Sequence, residues 1–172
     1  NQIDALCNRG VSLRALGRLD DAIRSYDRAL KLRPDHPDLL AARGAILADL
    51  GRLDEAESCL RRSLDLRPDH PEALFNLGSV LKTHGRLAEA LDCCAQAVAA
   101  VPNDPRTHDM LGTVLRAAGR IDEAIASHER ALALFPNAAG GWGNLASALQ
   151  VAGRTGDAIA AYRQSLALDP DK

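Results

Sequence analysis

Residues 71–104, PEALFNLGSVLKTHGRLAEALDCCAQAVAAVPND, contain two apolar series separated by a glycine. Before Gly85 the apolar residues fall at helical spacing, and after it the same spacing continues toward Pro102. Glycine adopts the left-handed conformation that ends many helices, and proline cannot continue a helix. The stretch therefore predicts two amphipathic α-helices joined by a short turn. The apolar positions are Leu74, Leu77, Leu81, Leu87, Ala90, Leu91, Cys94 and Ala97.

Five copies of this repeat follow one another with a constant period of 34 residues. The copies span residues 3–36, 37–70, 71–104, 105–138 and 139–172. They are marked by Gly17, Gly51, Gly85, Gly119 and Gly153, and by Pro34, Pro68, Pro102, Pro136 and Pro170. Self-similarity of this length predicts a solenoid in which each repeat packs on its neighbours. We therefore expect a single all-α domain over residues 3–172.

A small residue recurs at the eighth position of the repeat, inside the first predicted helix. The series is Gly10, Gly44, Gly78, Gly112 and Ala146, and the twentieth position is alanine in all five copies. A glycine inside a helix costs about 1 kcal/mol relative to alanine. Its recurrence therefore indicates that two helices cross closely at this position.

Composition argues against several classes of function. Charged residues make up 26% of the chain and the formal net charge is -2, which disfavours nucleic acid as a partner. No apolar run approaches the roughly 18 residues that span a bilayer, so no membrane partner is expected. The chain begins at Asn1 within the repeat pattern, and we expect it to be part of a longer protein.

The four cysteines are expected to be thiols. Cys93 and Cys94 are neighbours, which rarely pair, and Cys59 and Cys93 occupy one position in successive repeats. The intervening helix should keep the latter two backbones beyond the roughly 7 Å limit of a disulfide. The spacing, including Cys7, matches no zinc motif. We expect a reducing, cytoplasmic environment.

The pattern resembles the tetratricopeptide repeat (TPR) family along residues 3–172. The resemblance depends on small residues at positions 8, 20 and 27 of the repeat and on proline at position 32. It implies a right-handed superhelix of helix-turn-helix repeats, whose first helices line a concave groove that binds a protein or peptide. It places this groove at Asn8, Arg14, Phe75, Asn76, Ser79, Lys82, Arg106, Arg116 and Asn144.

The implied groove combines amides, cations and one aromatic side chain. Asparagine carries both a donor and an acceptor, so a row of asparagines can pair with the backbone of an extended peptide. The basic neighbours favour acidic segments, and Phe75 is the candidate anchor for a partner. In the alternative interpretation these polar side chains only keep a helix face solvated, and Phe75 fills a gap between repeats.

Two subsets of the family have more specific grooves. The clamp that holds the C-terminal carboxylate of chaperones is not matched, because the equivalent frame offers only Asn76 and Arg106. Asn76 and Asn144, each followed by leucine and a small residue, resemble the repeats attached to O-linked N-acetylglucosamine transferases and their bacterial relatives. The substrate-recognition arm of a larger transferase is therefore an alternative to a protein-binding adaptor.

Catalysis is not predicted. Ser79 and Lys82 have the Ser-x-x-Lys spacing of penicillin-recognising acyl enzymes, but the other elements of those sites are missing. His108 and His128 replace the usual bulky residues of the fourth repeat, and we expect them to pack between its two helices rather than bind a metal. No cofactor is expected.

The last predicted helix carries an apolar face that a solenoid normally buries against a following repeat. Ile159, Tyr162 and Leu166 lie on it. Burial of apolar surface contributes about 25 cal/mol per Å², so this face predicts an end-to-end homo-oligomer. A self-assembling structural scaffold is the third hypothesis.

Overall fold

The structure, a computed structural model, describes residues 2–170. All regular elements within these residues are α-helices, which confirms the predicted all-α repeat fold. The chain divides into two compact units, here called unit 1 (Asn1–His84) and unit 2 (Gly85–Lys172). Unit 1 contains α1 (Gln2–Ala15), α2 (Leu19–Leu32), α3 (Pro37–Asp49), α4 (Leu53–Leu66) and α5 (Pro71–Thr83). Unit 2 contains α6 (Leu87–Ala100), α7 (Pro105–Ala117), α8 (Ile121–Leu134), α9 (Ala139–Val151) and α10 (Thr155–Leu168).

The turn between the two helices of a repeat has the predicted left-handed glycine. The φ angle is 74° at Gly51 and 78° at Gly119. After α3, the N–H of Arg52 donates to the carbonyl of Leu47, and the N–H of Gly51 donates to that of Ala48. This pair of hydrogen bonds satisfies carbonyls that a helix end otherwise leaves without partners.

The first helices of three repeats, α3, α5 and α7, begin with proline. Asp104 caps α7, because its side chain accepts a hydrogen bond from the backbone N–H of Arg106 at 2.9 Å. His36 and His70 occupy the same position before α3 and α5 and make no capping hydrogen bond through their side chains. The starts of α3 and α5 therefore lack the capping hydrogen bond that Asp104 provides for α7.

Each second helix begins after an arginine that donates to an acidic residue three positions later. The Nε atom of Arg52 lies 2.7 Å from Oε1 of Glu55, for example. The five pairs are Arg18–Asp21, Arg52–Glu55, Arg86–Glu89, Arg120–Glu123 and Arg154–Asp157. The hydrogen bond from Arg52 lowers the pKa of Glu55. This arginine series was not among the features predicted from the sequence.

The helices of a repeat cross where small residues were predicted to allow it. A Cβ atom on Gly10 would lie 2.6 Å from the Tyr26 ring, and one on Gly44 would lie 2.7 Å from Cγ of Leu60. Real Cβ atoms do not approach neighbours so closely, so only glycine fits these crossings without rearrangement. The recurrence at position 8 is thus explained by close packing.

Successive helices pack in order within each unit, and two first helices of each unit also pack on one another. In unit 1, α3 contacts α5 as well as α4, and in unit 2, α7 contacts α9 as well as α8. No comparable packing joins α2 to α4 or α8 to α10 in the described part of the chain. The first helices therefore form the closer-packed layer of each unit, here called its inner layer.

All four cysteines are thiols, as predicted. Cys59 and Cys94 are buried, and burial is the main cause of a raised pKa at Cys7. No helix within residues 2–170 is both long and apolar enough to cross a membrane.

Candidate functional site

The inner layer of unit 1 and Tyr26 of α2 border an open cavity of about 260 Å³. Small and aliphatic side chains make up its apolar lining: Val11, Ala41, Ala42, Ala45 and Ile46. Polar residues around it are Arg14, Asp38, His70, Glu72 and Asn76, and Tyr26 completes the lining. Two residues predicted for the groove, Arg14 and Asn76, are therefore brought to one cavity. We call it the unit 1 cavity.

The charges around the unit 1 cavity are of both signs. Nε of Arg14 donates to Asp49 at 2.9 Å, so the predicted cation is already paired. Asp38 receives a hydrogen bond from Nη2 of Arg67 at 2.7 Å. Burial alone would raise the pKa of Asp38, but this bond and the nearby positive charges lower it. The predicted groove contained cations and amides, and the carboxylates of Asp38 and Glu72 were missed.

His70 is the most deeply buried polar residue of the unit 1 cavity, with 4% of its surface exposed. Its Nε2 lies 3.3 Å from Oδ1 of Asp38, yet neither ring nitrogen makes a hydrogen bond within the described residues. Burial lowers the pKa of this imidazole, and the charge of Arg67 adds to the effect. The neutral ring is therefore the favoured form in the fold.

The remaining groove predictions of unit 1 lie on α1 and α5. Nδ2 of Asn76 donates to the backbone carbonyl of Glu72 at 2.7 Å, which leaves the carboxamide Oδ1 to accept from a partner. Asn8 is exposed, whereas Ser79 and Lys82 are half-buried. Phe75 is also half-buried rather than fully exposed, so it presents only part of its ring.

In unit 2, three side chains from successive helices form a hydrogen-bonded chain. Nδ1 of His128 lies 2.7 Å from Oδ1 of Asp109, and Nδ2 of Asn144 donates to Oδ2 of the same carboxylate at 2.9 Å. Because a carboxylate only accepts, Nδ1 of His128 carries the proton of the first bond. The predicted groove residue Asn144 is thereby held in one orientation.

The two histidines of the fourth repeat have different roles. His128 is completely buried in unit 2, as its predicted packing role requires, and its Nε2 has no hydrogen-bond partner within residues 2–170. His108 is half-buried and its Nε2 lies 2.9 Å from the carbonyl oxygen of Pro102. The carboxylate of Asp109 beside His128 was not expected, because the pair is 19 residues apart and other repeats lack it.

A hollow in unit 2, here called the unit 2 pocket, lies between α7, α8 and α9 and has a volume of about 250 Å³. It is lined by Pro105, Arg106, Asp109, Ala131, Leu132, Phe135, Ala138 and Gly141. The predicted groove residue Arg106 is paired with Asp104, Nη2 to Oδ2, at 2.7 Å. Phe135 is 52% exposed. Arg116, the last groove prediction of this unit, is half-buried on α7 and does not line the pocket.

The predicted self-association face lies on α10. Ile159 and Leu166 are 48% and 52% exposed, and Tyr162 is 40% exposed. The hydroxyl of Tyr162 donates to Oε1 of Gln150 at 3.3 Å. These three apolar side chains are accessible together on one helix.

Among residues 2–170, no group of three or more His, Cys, Asp or Glu side chains is arranged to hold a metal ion. Several polar groups instead pair with neighbouring residues, as Arg14 does with Asp49 and Asn144 with Asp109.

These stacked helix pairs, each with a left-handed glycine turn and a small residue at the crossing, define a protein of the TPR class. Family models described as tetratricopeptide repeat match residues 3–36, 47–105 and 110–172. The chain belongs to the tetratricopeptide repeat family.

Solved structures of similar fold cover nearly the whole chain. One is TTC0263, a thermophilic TPR protein in Thermus thermophilus, at 26% identity and a TM-score of 0.85 over 99% of this chain and 93% of that chain. MamA is similar at 25% identity and a TM-score of 0.78, over 94% of each chain. YrrB, a TPR protein with an unusual peptide-binding site, shares the fold at 21% identity and a TM-score of 0.74, over 96% of this chain and 86% of that chain. The comparison with curated proteins gives no significant match.

Proposed function

We propose that this chain is a non-catalytic scaffold that binds an extended segment of another protein along its inner layers. The observation that carries the proposal is the unit 1 cavity, whose lining combines apolar side chains with amide, carboxylate and guanidinium groups. Binding sites commonly combine an apolar surface with a few polar groups that fix orientation. The family itself is one of protein-binding repeats, and YrrB is described as having a peptide-binding site.

The polar groups of the inner layers suit a peptide backbone. In both Asn76 and Asn144 the Nδ2 atom donates within the protein, so each carboxamide has its Oδ1 available for an N–H of a partner. Arg14 and the carboxylates of Asp38 and Glu72 bring both signs of charge to the unit 1 cavity. We therefore propose a partner of mixed charge in place of the acidic segment that the basic residues suggested.

The test begins with selection of peptides from a random displayed library on the full chain. The affinity of a selected peptide is then measured for the wild type and for Asn76→Ala/Lys82→Ala/Arg116→Ala. An adaptor should lose binding in this variant, while a variant of the outer helices, Asp65→Ala/Arg130→Ala, should bind normally. Unchanged affinity of the first variant, with matched thermal stability, would reject these inner-layer residues as the site.

The alternatives make different predictions. If the chain is the substrate arm of a larger transferase, the same peptides should be substrates of the parent protein. If it is a self-assembling scaffold, the inner-layer variant should keep its oligomeric state and Ile159 and Leu166 should control it. The thiol state of the four cysteines fits a reducing compartment, and we place the protein in the cytoplasm as part of this proposal.

A further inference from the structure

We propose that a cluster of arginines in unit 1 binds an acidic segment of a partner polypeptide. The cluster, here called the arginine cluster, consists of Arg9 on α1 and of Arg24 and Arg28 on α2. These three side chains line an open hollow of about 130 Å³ together with Asp21 and Ser25. The hollow shares no lining residue with the unit 1 cavity, so the inference goes beyond the proposed function.

The lining of this hollow has an excess of positive charge. Its three guanidinium groups are accompanied by one carboxylate, that of Asp21. Asp21 already accepts hydrogen bonds from Arg18 and Arg24, and these bonds lower its pKa. The side chains of Arg9 and Arg28 form no ion pair or hydrogen bond within residues 2–170. Two exposed guanidinium groups are therefore available to bind an anion.

The second repeat shows which anion fits at the same positions. It has arginine at the positions equivalent to Arg9 and Arg28, and each of these arginines binds a carboxylate of the preceding repeat. The pairs are Arg43–Asp27 and Arg62–Asp35, with distances of 2.7 and 2.6 Å between the nitrogen and oxygen atoms. Arg9 and Arg28 can therefore bind carboxylates of a neighbouring polypeptide in the same way.

The combination of three arginines is particular to the first repeat. Residues equivalent to Arg24 in the later repeats are Ser58, Asp92, Ala126 and Ala160. Residues equivalent to Arg9 in the third, fourth and fifth repeats are Leu77, Leu111 and Leu145. Because the general repeat pattern does not require these arginines, a packing role shared by all repeats does not account for the cluster.

The charges disfavour the last repeat of a second copy as the occupant. If two copies stacked as successive repeats do, Arg163 of one copy would take the place of Asp27 and face Arg9 of the other. Like charges brought together at an interface weaken it. A different polypeptide segment that carries several carboxylates is the partner that matches the cluster.

The direct test uses acetyl-hexaglutamate amide as the probe, with acetyl-hexaglutamine amide as its uncharged counterpart. Both are titrated into the full chain at low ionic strength, where exposed charges are screened least. The NMR signals of the Nε–H groups of Arg9, Arg24 and Arg28 are followed. Hexaglutamate should shift these signals and hexaglutamine should not. Equal effects of the two peptides, or no effect of hexaglutamate, would overturn the proposal.

Two variants of equal net charge test the position of the site. In Arg9→Gln/Arg28→Gln the affinity for hexaglutamate should fall about three- to tenfold, because two exposed ion pairs are lost. Arg130→Gln/Arg163→Gln removes the same charge from unit 2 and should bind as the wild type does. All four substituted residues are exposed, so both variants should keep the thermal unfolding midpoint of the wild type. Equal losses of affinity would show that binding follows net charge alone and would overturn the inference.

The results also separate this inference from the proposed function. The inner-layer variant Asn76→Ala/Lys82→Ala/Arg116→Ala should bind hexaglutamate normally. Loss of hexaglutamate binding in that variant, with none in Arg9→Gln/Arg28→Gln, would assign the acidic segment to the inner layers and overturn the inference. If hexaglutamate binds at the arginine cluster but no library peptide binds the inner layers, the inference stands and the proposed function fails.

Phosphate groups are the other anions that arginines commonly bind. Inorganic phosphate and hexathymidylate are therefore titrated in the same way, while the same arginine signals are followed. Hexaglutamate should bind more tightly than either of them. Tighter binding of hexathymidylate would assign the cluster to a nucleic acid, and tighter binding of inorganic phosphate would assign it to a phosphate group. Either result would overturn the inference.

Discussion

Gly112 lies directly against the imidazole ring of His128, so that a Cβ atom at Gly112 would be 2.8 Å from both Cε1 and Nε2. The ring is completely buried and is held by Asp109, so it has no space into which to move. At this crossing of α7 and α8, the absence of a side chain at Gly112 is what makes room for the ring of His128.

Substitution of Gly112 by alanine should destabilise the protein by about 1 to 3 kcal/mol, because the added methyl group overpacks a rigid site. Gly140→Ala is the control, since it lies in α9 with nothing within 4 Å of an added Cβ. The control should gain up to about 1 kcal/mol from helix propensity. Urea unfolding measures the free energy of unfolding of both variants. Equal changes relative to the wild type would contradict close packing at this crossing.

The bond between Asp109 and His128 predicts strong energetic coupling. Asp109→Ala leaves a buried ring nitrogen without a partner and should cost about 1 to 3 kcal/mol. His128→Leu keeps an apolar group at the crossing, as Leu60 does against Gly44. The double variant should therefore lose less stability than the two single variants added together. Additive losses in a double-mutant cycle would show that the bond contributes nothing.

His70 predicts a loss of stability in mild acid. Its pKa in the fold is lowered from the ordinary value of about 6.5, first by burial and then by Arg67. The unfolded chain thus binds a proton more readily, and the free energy of unfolding should fall as the pH drops below about 6.5. Urea unfolding measures the free energy of unfolding at about pH 7.5 and about pH 5.5. The decrease in this free energy between the two pH values should be smaller for His70→Ala than for the wild type. An equal decrease in the variant and in the wild type would contradict burial of a neutral ring at His70.

The exposed face of α10 predicts self-association. Because about 25 cal/mol is gained per Å² of apolar surface buried, contact through Ile159 and Leu166 should produce dimers at high concentration. Ile159→Lys/Leu166→Lys should remain monomeric in light scattering. Leu16→Lys is the control, since Leu16 is 73% exposed in the first repeat of the series. A wild type that stays monomeric at high concentration counts against this face.

Features that depend on neighbouring residues were predictable from the sequence. The left-handed turn at Gly51 follows from the conformational freedom of glycine, and the cap at Asp104 follows from a short polar side chain before a proline. The close crossing at Gly44 was predictable because the same residue type recurs at one position of the repeat. Periodicity thus revealed much of what the repeats share.

Features that distinguish one repeat from another were not predictable in the same way. The pairing of Asp109 with His128 depends on a contact between two helices and has no counterpart in the other repeats. Phe135 lies after a second helix, outside the positions that the family resemblance assigned to the groove. The half-burial of Phe75 likewise depends on packing that its position in the repeat does not specify.

Mapping a selected peptide onto the chain with amide and methyl chemical shifts is the decisive experiment for polypeptide binding by the inner layers. We expect the largest changes at Ala41, Ala45 and Asn76 in unit 1 and at Asp109 and Asn144 in unit 2. Residues of the second helices, such as Asp65 and Arg130, should change little. Changes concentrated on α2, α4 and α8, with none around the unit 1 cavity, would show that the inner layers are not the binding surface.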